Sequence, residues 1–210
     1  MGPVHEKARI MDAKAVDRAI QRIGYEIVEH NRGTENVVLI GIQRRGVPLA
    51  RSIAEHIKTI EGGKVPTGTL DVTFYRDDLT FLKEREGEER EMAETDIPFS
   101  VTGRDVILVD DVLFTGRTVR AAMEALIESG RPRTIQLAVL IDRGHRELPI
   151  HADYVGKNVP TSHMELVSVR LPGYDGGEDG VVLLEKARGE TGVSGGGAPV
   201  PGGYMKHDAN

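Results

Sequence analysis

The 210-residue sequence contains no cysteine. That absence removes disulfide cross-links, thiolate zinc centres and a cysteine nucleophile, and is compatible with a reducing compartment. Long hydrophobic runs are missing too. The longest apolar stretches, such as VVLIGI from Val37, fall far short of the ~20 residues that cross a bilayer, and no apolar segment of signal-peptide type opens the sequence. No membrane association is expected, and cytoplasm is the expected location. What is present suits a folded protein: 39% of residues are hydrophobic and 29% charged, which excludes a disordered or collagen-like chain. The length allows one core domain with tails and is too short for two full-sized catalytic domains.

The net charge of -6 is unevenly spread. Between Arg76 and Asp96 nine acids face four bases, a local net of -5, which leaves -1 for all other residues. A near-neutral body can carry a basic face, so the overall charge does not exclude a nucleic-acid partner.

Apolar spacing predicts the elements. Val16, Ile20, Ile23 and Ile27 recur at helical intervals after Asp12, a plausible N-cap, with Gly33 as the stop. Val37 to Ile42 reads as a strand covered on both faces, followed by a helix carrying Leu49, Ile53, Ile57 and Ile60 and ending at Gly62-Gly63. Leu70 to Tyr75 is predicted as the next strand, and the acidic stretch after it, about 71–100, as a mobile flap. Val106 to Val109, Arg117 to Ser129 and Ile135 to Ile141 give strand, helix and strand, an alternation that predicts a mostly parallel sheet. Shorter strands at Ala152 to Val155, Met164 to Leu171 and Val181 to Leu184 suggest a sheet edge or appended hairpin. The expectation is α/β architecture, one domain over 1–187, and a disordered Gly/Pro-rich tail over 188–210.

The stretch VILVDDVLFTGRT, Val106 to Thr118, carries the chemistry. It joins a buried strand, two consecutive carboxylates, a short Thr-Gly loop and a helix. Ligands of open α/β sheets bind beyond the carboxyl ends of strands, where Asp110 and Asp111 fall, and anions sit well at the following helix N-terminus. Thr115 to Thr118 can cradle a phosphate: Gly116 permits close backbone approach, the Thr115 and Thr118 hydroxyls donate, and Arg117 adds charge. Acids beside a phosphate cradle suit vicinal ribose hydroxyls and a metal bound to the same ligand, so a sugar phosphate satisfies both halves. Read separately, the acids could merely end a strand and Thr115 merely cap a helix; the joined pattern argues against that.

This stretch resembles the phosphoribosyl pyrophosphate (PRPP) signature of type I phosphoribosyltransferases. The resemblance implies that family's fold: a mostly parallel central sheet flanked by helices, with a flap and a small hood. It also implies that Asp110 and Asp111 contact the ribose hydroxyls and that Val112, Leu113, Phe114, Thr115, Gly116, Arg117 and Thr118 hold the 5′-phosphate. A second loop, GIQRRG from Gly41, superficially fits GxxxxG, but Val47-Pro48 follows, so a nucleoside-triphosphate P-loop is not supported. In the family the corresponding loop grips pyrophosphate, a role falling here to Arg44, Arg45 and Gly46, with Arg45 also placed among the catalytic residues. Otherwise Arg44 and Arg45 are ordinary solvated arginines. Tyr75, Arg76, Asp77 and Asp78 would form the working end of the flap.

LIDRGHRELPI from Leu140 and ADYVGKNVPTS from Ala152 narrow the resemblance, over roughly residues 8 to 186, to pyrimidine-operon regulators that also have uracil phosphoribosyltransferase activity. Arg143, His145 and Lys157 would then border the nucleotide site, or alternatively hold the hairpin surface together. The implied reaction is uracil plus PRPP giving UMP and pyrophosphate, with Mg2+ carried by PRPP near Asp110 and Asp111 rather than in a protein-built cage. Implied partners are PRPP, uracil, UMP and UTP, pyrimidine-operon leader RNA acting through transcription attenuation, and further copies of the chain in a homodimer or higher assembly. For RNA, Arg18, Arg22, Arg143 and Arg146 are the candidates. Tyr25, His30, His151 and His163 stand where His or Arg is expected, which predicts weaker, more salt- and pH-sensitive binding. The alternatives are a uracil phosphoribosyltransferase without regulatory RNA binding, and a different phosphoribosyltransferase or non-catalytic nucleotide sensor.

Overall fold

The structure is a computed structural model, and it describes residues 4–73, 95–171, 175 and 179–186. The elements are β1 (Val4–Asp12), α1 (Ala13–Asn31), β2 (Val37–Ile42), α2 (Gly46–Glu61), β3 (Thr67–Leu70), β4 (Asp105–Leu113), α3 (Arg117–Ser129), β5 (Thr134–Asp142), β6 (Tyr154–Asn158), β7 (Glu165–Arg170) and β8 (Gly180–Lys186). Among the described residues, no helix is long and apolar enough to cross a membrane. The expected flap residues Tyr75, Arg76, Asp77 and Asp78, and the tail over 188–210, lie outside the described residues.

The main sheet has the order β3-β2-β4-β5-β6, and every pairing in it is parallel. Its strands read as continuous apolar runs because both faces are covered. On one face Val37, Leu39, Ile107 and Val109 pack with Ile20, Ile23 and Ile27 of α1 and Leu49, Ile53 and Ile57 of α2. On the other, Val38, Ile40, Val106 and Leu108 pack with Val119, Ala122 and Leu126 of α3. Helix α1 begins as expected, with the Asp12 carboxylate accepting from the Ala15 amide at 2.7 Å. It ends at Asn31, and the cap is Arg32 rather than Gly33: Arg32 takes the left-handed conformation, and the Gly33 amide donates to the Val28 carbonyl at 3.0 Å.

Three expectations are corrected here. The strand expected over Leu70 to Tyr75 instead ends at Leu70, because the Asp71 carboxylate captures the Thr73 amide at 2.8 Å and turns the chain. Strand β1 has no counterpart in the sequence reading, since VHEKARIMD lacks a clean alternation and becomes a strand by pairing antiparallel with β8, with register irregularities at two places. β1, β8 and β7 form a separate three-stranded sheet, which is the small hood. β6 runs to Asn158, farther than expected, as the parallel edge of the main sheet.

At the amino-terminal end of the sheet a polar network is closed inside the apolar layers. The Tyr154 hydroxyl donates to Gln136 Oε1 at 2.6 Å, and Gln136 Nε2 donates to Asn31 Oδ1 at 2.8 Å. Burial pushes the phenol up to about 12, against a hydrogen bond with Asn31, so it stays protonated and remains a donor. Tyr154→Phe removes the shorter of two hydrogen bonds onto Gln136 Oε1, leaving that from Asn31 Nδ2 at 3.2 Å, and is expected to destabilise the fold by about 1 kcal/mol, read as a lower denaturant midpoint at unchanged slope.

Candidate functional site

The chain runs outward from β2 to β3 and returns to pair β4 on the other side of β2, so the order reverses between β2 and β4. Loops leaving the carboxyl ends of strands flanking such a reversal diverge and open a crevice. Gln43 to Gly46 leaves β2 there; β4 makes its last pair with β2 at Val109, runs on beside β5 through Asp110 and Asp111 to Leu113, farther than the Val109 expected from the sequence, and Phe114 to Gly116 leaves it. The Gln43–Arg44 peptide is cis. The loops meet at Gly46: a Cβ there would overlap the Val109 carbonyl oxygen and lie 3.4 Å from the Asp110 Cα. Only glycine lets the start of α2 seat against β4.

Past β4 the chain turns through Phe114 and Thr115 to Gly116, which caps α3 in the left-handed region at φ 92. Gly116 brings no capping side chain, so the first-turn amides beyond that of Arg117 are available to an anion. The Thr115 hydroxyl accepts from the Arg117 amide at 3.3 Å. A cleft of about 320 Å3 lies here, lined by Asp110, Val112, the run Leu113 to Val119, and Glu147. The sequence-predicted cradle is therefore one continuous wall. Arg117 Nε donates to Glu147 at 2.7 Å, so its charge is already shared.

The acids are held by the backbone. Asp110 Oδ1 accepts from the Asp111 amide and Asp111 Oδ1 from the Val112 amide, each at 2.9 Å. Burial pushes the Asp111 carboxyl up, opposed by its hydrogen bond with Asp110 and by the positive field of Arg45. Arg45 thus lies near enough to act on the acidic pair. Its guanidinium is held in a bidentate pair by Asp175, with Nε to Oδ2 at 3.0 Å and Nη2 to Oδ1 at 2.7 Å. Arg44 is exposed.

Behind the loop sit two arginines. Arg143 is buried, stacks its guanidinium 4.1 Å from the Phe114 ring centroid, and donates to Thr161 Oγ1 and to the Ser162 and Glu165 carbonyls. Burial lowers its pKa, opposed by Glu165. Arg146 donates to the carbonyls of Phe114, Gly144 and Ile150 and pairs with Asp142. Both face inward rather than toward solvent. His145, in the left-handed region, directs Nε2 at the Thr161 carbonyl at 2.6 Å and Nδ1 at His163 Nε2 at 3.1 Å. The carbonyl can only accept, so Nε2 carries the proton, and in the neutral pair Nδ1 accepts from His163.

Lys157 is exposed near the end of β6, paired in register with Ile141. Arg18 is exposed on α1, while Arg22 reaches across to the Val155 and Gly156 carbonyls at 2.9 and 2.5 Å. Sequence reading missed Asp175 and Glu147. Asp175 lies in a Gly-rich stretch with no periodicity to mark it, and Glu147 looks like any surface acid until the fold places it against Arg117. Among the described residues no group of three or more His, Asp or Glu is arranged to hold a metal.

Residues 7–171 match the family model described as phosphoribosyl transferase domain. Solved structures share the architecture: a hypoxanthine-guanine phosphoribosyltransferase from Bacillus anthracis is 16% identical with a TM-score of 0.62, covering 87% of this chain and 99% of that one. Hypoxanthine phosphoribosyltransferase from Trypanosoma cruzi is also 16% identical, at a TM-score of 0.63 over 86% of this chain and 98% of its own. The chain belongs to the phosphoribosyl transferase family and has its type I fold. Curated relatives narrow this: "Bifunctional protein PyrR" of Pelotomaculum thermopropionicum is 60% identical over 87% of this chain and 98% of its own length. That of Thermus thermophilus is 57% identical over 86% and 97%. Within the family, the chain groups with the PyrR proteins.

The raised Asp111 carboxyl has a consequence for stability. An acid whose folded pKa lies above its unfolded value binds its proton more tightly when folded. Its charged form therefore destabilises the fold above the folded pKa, and the penalty vanishes as pH falls to the unfolded value. Asp111→Asn keeps the Oδ1 acceptor for the Val112 amide and removes the charge. It is expected to raise stability near pH 7.5, with the gain shrinking toward about pH 4, as read from thermal midpoints across that range.

Proposed function

We propose that the crevice between β2 and β4 transfers a phosphoribosyl group from PRPP to uracil, giving UMP and pyrophosphate. The observation that carries this reading is the cleft in which Asp110 stands beside the start of α3, whose N-cap, Gly116, has no side chain. The 5′-phosphate lies along Val112 to Thr118, taking the α3 amides and the Thr115 and Thr118 hydroxyls. Asp110 and Asp111 accept from the ribose hydroxyls, and their negative charge offsets cationic character at the anomeric carbon. A uracil ring nitrogen forms the bond to that carbon as the bond to the pyrophosphate oxygen breaks. The electron pair leaves with pyrophosphate and the nitrogen loses its proton. Arg44, Arg45 and the Gly46 backbone receive the departing anion.

The family implies Mg2+ with PRPP. Two adjacent carboxylates facing a polyphosphate ligand fit a hard ion that brings most of its oxygen ligands with the substrate. When bound, it supplies positive charge to the pyrophosphate oxygens. Tyr75, Arg76, Asp77 and Asp78 are assigned to covering the reacting sugar, which excludes water. Arg143, His145 and Lys157 border the nucleotide: Arg143 acts through Phe114, and His145 orders the Thr161 to His163 turn.

The second function is regulatory. The chain binds pyrimidine-operon leader RNA in response to UMP or UTP and sets expression by transcription attenuation, in the cytoplasm and as a homodimer or higher assembly. Arg18 and Arg22 suit phosphate contact. Arg143 and Arg146, facing inward, support the surface from beneath. Support for this half is the membership among PyrR proteins and the resemblance over LIDRGHRELPI and ADYVGKNVPTS.

Asp110→Asn and Asp111→Asn are each expected to lower UMP formation about 100-fold or more with the fold intact, followed by pyrophosphate release. Unchanged turnover in both removes the assigned role. A gel shift with a pyrimidine leader transcript is expected at low salt, strengthened by UMP and weakened steeply by added salt. No shift at low salt leaves the transferase alone.

A further inference from the structure

We propose that Asp175 is a positioning residue of the pyrophosphate half of the site: its carboxylate holds the Arg45 guanidinium, and incoming pyrophosphate takes Arg45 over by competing with that carboxylate. This rests on the reading of Arg45 as a pyrophosphate ligand, and adds what Arg45 holds before the anion arrives.

The pair is bidentate and joins residues 130 apart in sequence, the start of α2 and the loop between β7 and β8. A flat guanidinium fork opposite two carboxylate oxygens is the same geometry that it offers two oxygens of a phosphoryl group. Asp175 is itself anchored. Its Oδ2 also accepts from the Leu171 amide at 3.2 Å, and its own amide donates to the Leu171 carbonyl at 3.3 Å, which ties the carboxylate to the end of β7. The side chains of Arg45 and Asp175 are 40% and 19% exposed, so an anion from solvent can reach the pair and exchange with it.

The electrostatics agree with this placement. Hydrogen bonding to Arg45 holds the Asp175 carboxyl below its usual range, while the same guanidinium partly offsets the upward push of burial on Asp111. Arg45 therefore pairs with a carboxylate of the hood and its field reaches one of the proposed ribose site. Pyrophosphate, with several negative charges, outbids a single carboxylate for it. The observed affinity is then the difference between two pairings, so Asp175 tempers the hold on the leaving group and eases its release.

Asp175→Asn keeps the size and one acceptor oxygen and removes the charge. With the full chain and Mg2+ present, inorganic pyrophosphate is expected to bind about three- to ten-fold more tightly to this variant by titration calorimetry at low salt, and the difference is expected to shrink at high salt. Asp175→Glu, which keeps the charge, is expected to bind close to the parent, and the KM for PRPP is expected to fall in D175N and not in D175E. In an Arg45→Gln background, which weakens pyrophosphate binding by itself, D175N is expected to have no further effect. Should D175N fail to fold, Asp175→Ala serves the same comparison. If D175N or D175A binds pyrophosphate no more tightly than the parent while R45Q weakens binding, the competition is refuted and the assignment of Arg45 stands. If R45Q leaves binding unchanged, both fall.

Discussion

The site depends on one steric constraint, the seating of Gly46 against the end of β4. There is no room for a side chain between the first residue of α2 and the Val109 carbonyl. That contact sets the distance between the two loops that leave β2 and β4. It lets one loop offer basic groups toward the same space into which the other offers acids and helix amides. Parallel strands demand crossover connections, and the reversal between β2 and β4 separates the two loops. The glycine keeps them from separating too far. Opening and closeness are both needed for a ligand with an anion at each end of a sugar.

Around that junction, charge is distributed in opposed pairs. Asp111 is pushed up by burial and drawn back by Arg45; Asp175 is held low by the same arginine. Arg117 faces Glu147 at the mouth of the phosphate cleft. Arg45 and Arg117 each already have an anionic partner within the protein, so on the proposed reading the substrate exchanges pairings with these two instead of meeting bare charge. Desolvating an unpaired charge costs far more than exchanging one partner for another.

Beneath the loop, arginines act as scaffold. A guanidinium has five donors in a fixed plane, and Arg146 uses three carbonyls and a carboxylate to hold residues 114, 142, 144 and 150 together. Arg143 does the same for the Thr161 to Glu165 turn while its face supports Phe114. The loop can leave its backbone amides facing a ligand because its carbonyls are satisfied from behind. Arg143 and Arg146, candidates for polyanion contact in the sequence, are thus parts of the wall behind the Phe114 to Gly116 turn.

Much of the molecule could be read from local pattern. β2, β4 and β5 announce themselves as unbroken apolar runs because both faces are covered, and α1 through Asp12 and its three- and four-residue spacing. The run from Val106 to Thr118 carries strand, acids, loop and helix in consecutive order, so the elements that line the cleft were legible in it. β1 was not, since its partner lies about 170 residues away and its side chains follow no period. The true end of β3 hung on one Asp71 side chain. Consecutive residues determine covering, capping and the phosphate loop, because those interactions are local. Folding alone decided that Asp175 meets Arg45, that Arg143 and Arg146 turn inward, and that Gly46 must be bare, because each is a contact between segments whose separation along the chain encodes nothing about their distance in space.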